Sequence, residues 1–168
     1  MTVTSNYIGR FAPSPSGPLH FGSLVSAVAS FLDARKNNGS WLLRIEDLDP
    51  PRESIDAPSI IIDQLIAHGL TFDGEILYQS SRLGAYSDAL ATLEASGLIY
   101  PCDCARKSFG AIYPGTCRNK PHSRVNDVHA LRLRVSDSEI VIIDELLGRQ
   151  AWHLSKESGD FIVKRKDG

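Results

Sequence analysis

The 168-residue sequence predicts an α/β fold that carries a small, partly β insertion. Residues 6–49 have the order strand, helix, strand, which is the pattern of a βαβ unit in a parallel sheet with flanking helices. From Ile99 to Asp160 the pattern changes to a cysteine-bearing irregular segment followed by short strands. We therefore divide the chain into a first part over residues 1–98, an insertion over 99–160, and the start of a return to the first sheet over 161–168.

The βαβ unit is predicted from hydrophobic periodicity. NYIGRFA (6–12) has the pattern of a short strand, and apolar residues then recur at helical spacing from Leu24 to Leu32. The Asn and Gly residues of KNNGS (36–40) end this helix. WLLRIEDLD (41–49) is the second strand, and its apolar start is typical of a buried parallel strand.

Two more helices are expected, from about Ile55 to His68 and from Gly84 to Ala95, and a glycine follows shortly after each of them. Four strand-like segments come after the cysteines, some of them paired as hairpins. They are ALRLRV (130–135), EIVIIDEL (139–146), RQAWHL (149–154) and DFIVKRK (160–166).

Charge is distributed unevenly along a chain whose formal net charge is −2. Residues 1–100 carry 6 basic and 11 acidic side chains, whereas residues 101–168 carry 12 basic and 9 acidic ones. A basic second part is compatible with a bound polyanion, although charge alone favours a solvated surface. No apolar stretch is long enough to span a bilayer and no signal-peptide pattern opens the chain, so we expect a cytoplasmic protein. We also expect a monomer.

The stretch RFAPSPSGPLHFGSL (10–24) joins the first strand to the first helix. Gly17 and Gly22 lack a Cβ and allow the backbone to approach a ligand, and three prolines stiffen the turn. His20 then lies at or just before the N-terminus of the helix, where phosphate groups bind readily. Local chemistry leaves two interpretations open, a phosphate site or a rigid turn with a surface histidine.

This stretch resembles the HIGH signature of class I aminoacyl-tRNA synthetases, here written HFGS from His20 to Ser23. The longer match RFAPSPSGPLHFGSL and a second one, RIEDLDPPR (44–52), resemble the glutamyl branch of that family. The resemblance implies a Rossmann-like catalytic domain, with an incomplete parallel sheet, in which residues 1–98 form the nucleotide-binding half. It also implies a ligase that converts glutamate and ATP, with magnesium, into glutamyl-adenylate.

Site residues follow from the resemblance. His20 is implied as the catalytic residue that stabilises the transition state at phosphorus. The implied ATP-binding residues are Gly17, His20, Gly22 and Ser23, and the implied glutamate-binding residues are Arg10, Phe11, Ala12, Pro13, Ser14 and Glu46. Ser23 departs from the histidine that is common at the fourth position of the signature, so it offers a hydroxyl there instead of a charged group.

The residue types fit these roles. Arg10 offers two parallel N–H donors to a carboxylate, and Glu46 can pair with an ammonium group. Without the resemblance, a salt-bridged Arg10 and a strand-end Glu46 are the simpler interpretations. Asp47 and Asp49 are expected to tie down the turn after the second strand rather than to bind a metal.

Three cysteines lie close together in the sequence, at Cys102, Cys104 and Cys117. Their odd number in a cytosolic chain favours a metal over disulfides, and three thiolates supply three corners of a zinc site. The candidates for a fourth ligand are Tyr113, His122, His129 and a water molecule. Local chemistry favours His122, because imidazole is the commoner ligand. The alternative is three free, reduced thiols.

The segment CDCARKSFGAIYPGTC (102–117) resembles the branch of this family that attaches glutamate to queuosine, in which Cys-x-Cys is followed by Tyr and by Cys four residues later. That resemblance implies a structural zinc ion held by Cys102, Cys104, Tyr113 and Cys117. It also implies transfer of the glutamyl group to queuosine in the anticodon of tRNA(Asp). Five nearby basic side chains can contact phosphates or be simply solvated, and none is assigned to a site: Arg106, Lys107, Arg118, Lys120 and Arg124.

The sequence leaves two alternative functions open, a fragment of an ordinary glutamyl-tRNA synthetase and a non-catalytic, zinc-stabilised RNA-binding remnant. Members of the family continue into a second half of the catalytic domain with a KMSKS-like loop. That loop has no counterpart here, and HLSKES (153–158) is a chance likeness in the wrong place. We therefore expect a truncated chain that is inactive alone.

Overall fold

The computed structural model describes residues 7–120 and 129–166. The chain divides into two compact units, Met1–Ala85 and Tyr86–Gly168. This division falls between Ala85 and Tyr86, within the helix Leu83–Ala95, whereas the sequence placed a boundary between residues 98 and 99. The roles expected of the two parts stay predictions.

The first unit is built on a parallel sheet. Its elements are β1 (Ile8–Phe11), α1 (Phe21–Lys36), β2 (Ser40–Ile45), α2 (Ala57–Ala67) and β3 (Leu77–Tyr78), and α3 (Leu83–Ala95) begins at its end. The strand order is β1-β2-β3, with both pairs parallel. The predicted βαβ unit and both later helices are confirmed. The two-residue β3 was not predicted, because so short a strand has no readable alternation.

Alternate residues of β2 point into the core of the first unit. Trp41, Leu43 and Ile45 are at most 1% exposed, whereas Leu42 and Arg44 are half-buried. The Trp41 ring packs edge to face on Phe31, with 5.3 Å between ring centroids, and its Nε1 donates to Ser30 Oγ at 2.9 Å. Helices α1 and α2 cover this face of the sheet with buried alanine, isoleucine and leucine side chains.

The second unit contains the four predicted short strands and one strand that was not predicted, over Ile99–Cys102, where the sequence predicted the start of an irregular segment. In chain order the strands are β4 (Ile99–Cys102), β5 (Ala130–Leu133), β6 (Ile140–Asp144), β7 (Gly148–Trp152) and β8 (Ile162–Lys164), and the one-turn helix α4 (Leu154–Glu157) follows β7. An antiparallel sheet has the order β4-β5-β8, and β6 and β7 form a separate hairpin.

Strand β8 differs from the expectation for residues 161–168. Ile162 pairs with Arg132 and Lys164 pairs with Leu131, so β8 belongs to the antiparallel sheet of the second unit and not to the first, parallel sheet. The sequence could not show this, because strand pairing depends on which edge is free in the folded unit. Among the described residues, no helix is both long and apolar enough to cross a membrane.

Candidate active site and candidate metal centre

The two sequence motifs of the first unit lie side by side at the carboxyl ends of β1 and β2. The backbone N–H of Glu46 donates to the carbonyl of Pro13 at 2.9 Å. The N–H of Ser54 donates to the carbonyl of Pro15, also at 2.9 Å, and Pro15 is fully buried. These two bonds fasten the turn after β1 to the segment after β2. Ligands of open parallel sheets bind at this end of the strands.

His20 caps α1, as its position in the sequence predicts. Its Nδ1 accepts from the backbone N–H of Ser23 at 3.2 Å, and its Nε2 lies 3.0 Å from Ser23 Oγ. Because Nδ1 accepts, the proton of a neutral imidazole is assigned to Nε2, which donates to the serine hydroxyl. A Cβ on Gly22 would lie 3.2 Å from the His20 ring, so a glycine here leaves room for the imidazole over the first turn.

The other residues of the turn divide into core and surface. Phe11 is buried and stacks on Trp41 with 6.2 Å between ring centroids, so it offers its backbone rather than its ring to a ligand. Pro13 is buried and Ala12 is half-buried. The side chains of Arg10, Ser14 and Ser16 are polar and exposed, and Gly17 adopts a φ of 151° in the turn before α1.

Glu46 is already paired with a cation. Its carboxylate forms an ion pair with Arg44 Nη2, and both side chains are partly exposed. The Nε of Arg44 is buried and has no hydrogen-bond partner among the described residues. A ligand ammonium group at Glu46 would therefore share this carboxylate with Arg44.

Asp47 and Asp49 tie down the segment after β2, as expected. Asp47 accepts from the backbone N–H of Ser80 at 3.0 Å and from its hydroxyl at 2.5 Å. Burial tends to raise the pKa of Asp47, but these two hydrogen bonds outweigh it and lower the pKa. Asp49 forms an ion pair with Arg52, and its N–H donates to Glu53 Oε1 at 2.5 Å.

One residue that supports the turn was missed by the sequence analysis. Gln64, on α2, accepts with its Oε1 from the backbone N–H of Leu19 at 2.7 Å, directly before His20. No motif contains Gln64, and the only signal is an amide side chain between the buried residues Ile61 and Leu65.

In the second unit, three sulfurs and one phenol converge. The Sγ atoms of Cys102, Cys104 and Cys117 all lie within 4.8 Å of one another, and those of Cys104 and Cys117 are 3.6 Å apart. The Tyr113 Oη lies 3.4 Å from Cys102 Sγ and 3.8 Å from Cys104 Sγ, and it accepts from the Cys117 N–H at 2.9 Å. The cluster is largely buried, and only Cys104 is half-exposed.

A tight backbone approach holds Tyr113 in this cluster. Its N–H donates to the carbonyl of Ser158 at 3.2 Å, next to an isolated bridge with Gly159. Gly159 has a φ of 65°, and a Cβ there would lie 2.3 Å from the carbonyl oxygen of Tyr113. Only glycine fits at this contact.

Of the two histidines considered as the fourth metal ligand, His129 lies within the described residues and His122 does not. His129 Nδ1 is hydrogen-bonded to the carboxylate of Asp103, and within residues 7–120 and 129–166 no histidine joins the cysteine group. His122 and Arg124 lie outside the described residues. Arg118, one of the basic side chains without an assigned site, is paired with the buried carboxylate of Asp160.

The donor set fits a zinc ion. Sulfurs that share a tetrahedral zinc with Zn–S bonds of about 2.3 Å stand about 3.8 Å apart, close to the separation of Cys104 and Cys117. Burial alone would raise the pKa of Cys102, but contacts with the Tyr113 hydroxyl and the Arg132 guanidinium lower it to about 7. Burial raises the pKa values of Cys104 and Tyr113. A bound divalent cation would oppose that effect by favouring the ionised donors.

Comparison with known proteins agrees with the sequence resemblance. Residues 8–164 match a protein family described as tRNA synthetases class I (E and Q), catalytic domain. A curated relative from Pseudomonas paraeruginosa, named Glutamyl-Q tRNA(Asp) synthetase, is 50% identical over 99% of this chain. A relative of the same name from Pseudomonas putida is 51% identical over the whole chain. The chain spans about 57% of the length of these relatives.

Solved structures agree on the fold. A glutamate tRNA ligase from Elizabethkingia meningosepticum, in complex with its amino acid, matches with a TM-score of 0.81 over 95% of this chain and 38% of that chain. A glutamate-tRNA synthetase from Elizabethkingia anophelis matches with a TM-score of 0.82 over 95% of this chain and 39% of that one. Both are 23% identical to this chain, so the likeness concerns the fold alone, which is confirmed as that of a synthetase catalytic domain.

Proposed function

This chain belongs to the class I tRNA synthetases of the glutamate and glutamine type, and from that premise we propose that it contributes the glutamate- and ATP-binding residues of an enzyme that glutamylates queuosine in the anticodon of tRNA(Asp). The name of the relatives at about 50% identity supports this substrate. Because the chain spans about 57% of their length, the activity is proposed for the protein that contains the remainder as well.

One observation carries the proposal. The turn after β1 is hydrogen-bonded to the segment after β2 and leads directly into the N-terminus of α1, so Arg10, Ser14, Glu46 and His20 lie on connected segments at the same end of the sheet. In the proposed reaction a carboxylate oxygen of glutamate attacks the α-phosphorus of ATP, and pyrophosphate leaves. Catalysis of such a step consists of positioning and of stabilising charge on the phosphoryl oxygens.

Each side chain has a role in that step. The exposed Arg10 binds the side-chain carboxylate of glutamate with two parallel N–H groups, and Ser14 orients it. Glu46 accepts the α-ammonium group while it stays paired with Arg44. His20 and the free N–H groups of the first turn of α1 stabilise the negative charge that develops at phosphorus. Gly17, Gly22 and Ser23 line the approach of the phosphates.

The second unit would hold a structural zinc ion through Cys102, Cys104, Tyr113 and Cys117. When bound, the ion supplies cross-links between β4 and the Pro-Gly turn, and it takes no part in the chemical step.

The test is glutamate-dependent exchange of pyrophosphate into ATP, measured on the full-length protein with and without tRNA. We expect exchange without tRNA and a loss on the order of 10²- to 10³-fold in His20→Ala, because a charge-stabilising group is removed. His68→Ala, at the exposed end of α2, is the matched control and keeps full exchange.

Other results of the pyrophosphate-exchange assay would favour one of the two alternative functions. Exchange that requires tRNA would favour an ordinary glutamyl-tRNA synthetase, and RNA binding without any exchange would favour a non-catalytic remnant. The acceptor is tested by labelling with radioactive glutamate. tRNA(Asp) that contains queuosine should be labelled even after its 3′-terminal adenosine is removed, and tRNA(Asp) without queuosine should not.

A further inference from the structure

Arg132 is a buried cation in the middle of the second unit. It lies in β5 and is 4% exposed. Among the described residues no carboxylate forms an ion pair with its guanidinium group. A buried charge without an opposite charge is costly, so the surroundings of Arg132 must compensate for it.

Among the described residues, four groups contact the guanidinium, and two of them belong to the candidate metal centre. Its Nε donates to Cys102 Sγ at 3.2 Å. Its Cζ lies 3.7 Å from the centroid of the Tyr113 ring, in cation–π contact. Its Nη1 donates to the backbone carbonyl of Asp160 at 2.6 Å. The ring of Phe109 lies farthest away, with 5.2 Å between its centroid and Cζ. One planar group thus connects β4, the tyrosine and the segment before β8.

From these contacts we infer that Arg132 is a positioning residue of the metal centre, which fixes the Cys102 and Tyr113 donors and offsets the negative charge of the loaded site. The inference rests on the proposed binding of zinc. A zinc ion with three thiolates carries a net charge of −1, and a phenolate would add another. The buried guanidinium of Arg132 would stabilise this negative charge. The zinc-loaded centre would in turn supply the opposite charge that the guanidinium lacks among the described residues.

The shape of arginine matters as well as its charge. A guanidinium group can lie flat on the phenol ring while its N–H groups point sideways to the sulfur and to the carbonyl. A lysine ammonium at the same place has no plane to stack, and it cannot hold the same three partners in fixed directions. Arg132→Lys therefore keeps the charge but loses the positioning.

Arg134 offers a matched control two residues along the chain. Its guanidinium stacks on Tyr100, with Cζ 4.8 Å from the ring centroid, and its Nη2 donates to the carbonyl of Arg118 at 2.6 Å. Like Arg132 it contacts an aromatic ring and a backbone carbonyl, but it is half-buried, and neither of these contacts involves a proposed metal donor.

The experiment measures metal binding in the full-length wild-type protein and in Arg132→Met, Arg132→Lys and Arg134→Met. Zinc affinity is measured by competition with a chromophoric chelator, and the cobalt(II) form is examined by absorption spectroscopy. We expect Arg132→Met to lower zinc affinity about 10- to 100-fold, the usual effect of removing a group that holds a metal ligand. Arg132→Lys should lie between it and the wild type, and Arg134→Met should match the wild type.

The spectrum separates positioning from a general loss of stability. Without the N–H donor, the Cys102 thiolate gives up electron density more readily. The thiolate-to-cobalt charge-transfer band should therefore move to longer wavelength in Arg132→Met, by a smaller amount in Arg132→Lys, and not in Arg134→Met. If Arg132→Met does not fold, the zinc affinity and the charge-transfer band of Arg132→Lys test the positioning role instead. As a measurement without any variant, ¹¹³Cd-substituted wild-type protein should show a coupling between the metal and the Arg132 Hε through Cys102 Sγ.

Two results would overturn the inference. The first is an Arg132 variant that binds zinc with wild-type affinity and has an unmoved charge-transfer band, combined with no coupling between Arg132 Hε and ¹¹³Cd in the wild-type protein. If only Arg132→Lys folds, the affinity and the band of that variant are used. The second is a wild-type protein that binds no zinc or cobalt, which would remove the metal centre itself. Neither result changes the expected pyrophosphate exchange, so the exchange assay tests the proposed reaction at His20 independently of the metal centre.

Discussion

Counted over residues 7–120 and 129–166, the turn that carries His20 rests on a core of nine buried apolar residues, whereas the cluster of buried residues around Cys102 contains four, Tyr100, Cys102, Tyr113 and Cys117. In the first unit, backbone hydrogen bonds and packed side chains hold the site in shape without a ligand. In this second cluster, three of the four buried residues are themselves proposed metal ligands. An apolar core and a metal ion are two ways of offsetting the conformational entropy lost on folding, and each unit relies mainly on one of them.

The largest expected effect is that of removing zinc. A structural zinc ion contributes on the order of 10 kcal/mol of binding free energy, which is comparable to the whole stability of a small domain. Chelation should therefore abolish the hydrogen-exchange protection of β4 and β5 and leave that of β1 and β2 intact. Mass spectrometry of peptides from the two units measures both. Equal loss of protection in both units would contradict the comparison.

The reverse experiment is the substitution Trp41→Ala in the first unit. Trp41 is completely buried, and its loss should lower the free energy of unfolding of the first unit by about 3–5 kcal/mol. Trp152, the other tryptophan of the chain, is 36% exposed in the hairpin of the second unit and serves as the control. Trp152→Ala should cost less than about 1 kcal/mol. Urea titrations followed by hydrogen exchange give both values, and similar costs would show that the first core is not the main source of stability.

A buried carboxylate, Asp160, joins several segments of the second unit. Asp160 is 1% exposed and accepts from Arg118, from the Tyr100 hydroxyl and from the Val135 N–H at 2.9 Å. Asp160→Asn should lower the stability of the zinc-loaded second unit by about 1–3 kcal/mol, because a charged acceptor is lost while Arg118 stays. The exposed Asp137→Asn is the control and should have little effect. Urea unfolding at a fixed zinc concentration measures the difference.

Gln64 tests how firmly the first site is preorganised. Gln64→Leu removes the acceptor for the Leu19 N–H, a contact of about 1 kcal/mol, and should slow pyrophosphate exchange by up to about tenfold. Gln64→Glu keeps an acceptor and should retain most of the rate. A change in kcat without a change in the KM for glutamate would locate the effect at the His20 turn. If Gln64→Leu exchanges as fast as the wild type, the other bonds suffice to hold the turn.

The smallest expected effect concerns acid sensitivity of the first unit. The hydrogen bond from Arg35 and the N–H of Trp41 lower the pKa of Asp73 in the folded chain. A lowered pKa stabilises the fold above the unfolded value of about 3.9 and loses that contribution as the pH falls through the folded value. Asp73→Asn should therefore be less stable than the wild type at pH 6, with the difference shrinking below pH 4. Urea midpoints across this range measure it, and a constant difference would exclude this carboxylate as the cause.

The sequence by itself determined the βαβ unit, the position of His20 as the cap of α1, and the four short strands after the cysteines. These features depend on local periodicity, on turn residues and on motifs within a few residues of one another. The resemblance of RFAPSPSGPLHFGSL and RIEDLDPPR to the glutamyl branch also predicted the family correctly.

Only the tertiary structure decided which distant groups meet. The pairing of β8 with β5, the bond from Leu19 to Gln64, and the contacts of Arg132 with Cys102 and Tyr113 join residues 19 to 45 positions apart. A buried arginine or glutamine takes whichever partner the packed backbone brings within about 3 Å, because an unpaired polar group inside the protein is costly. That choice depends on the arrangement of whole strands and helices, and no local pattern in the sequence encodes it.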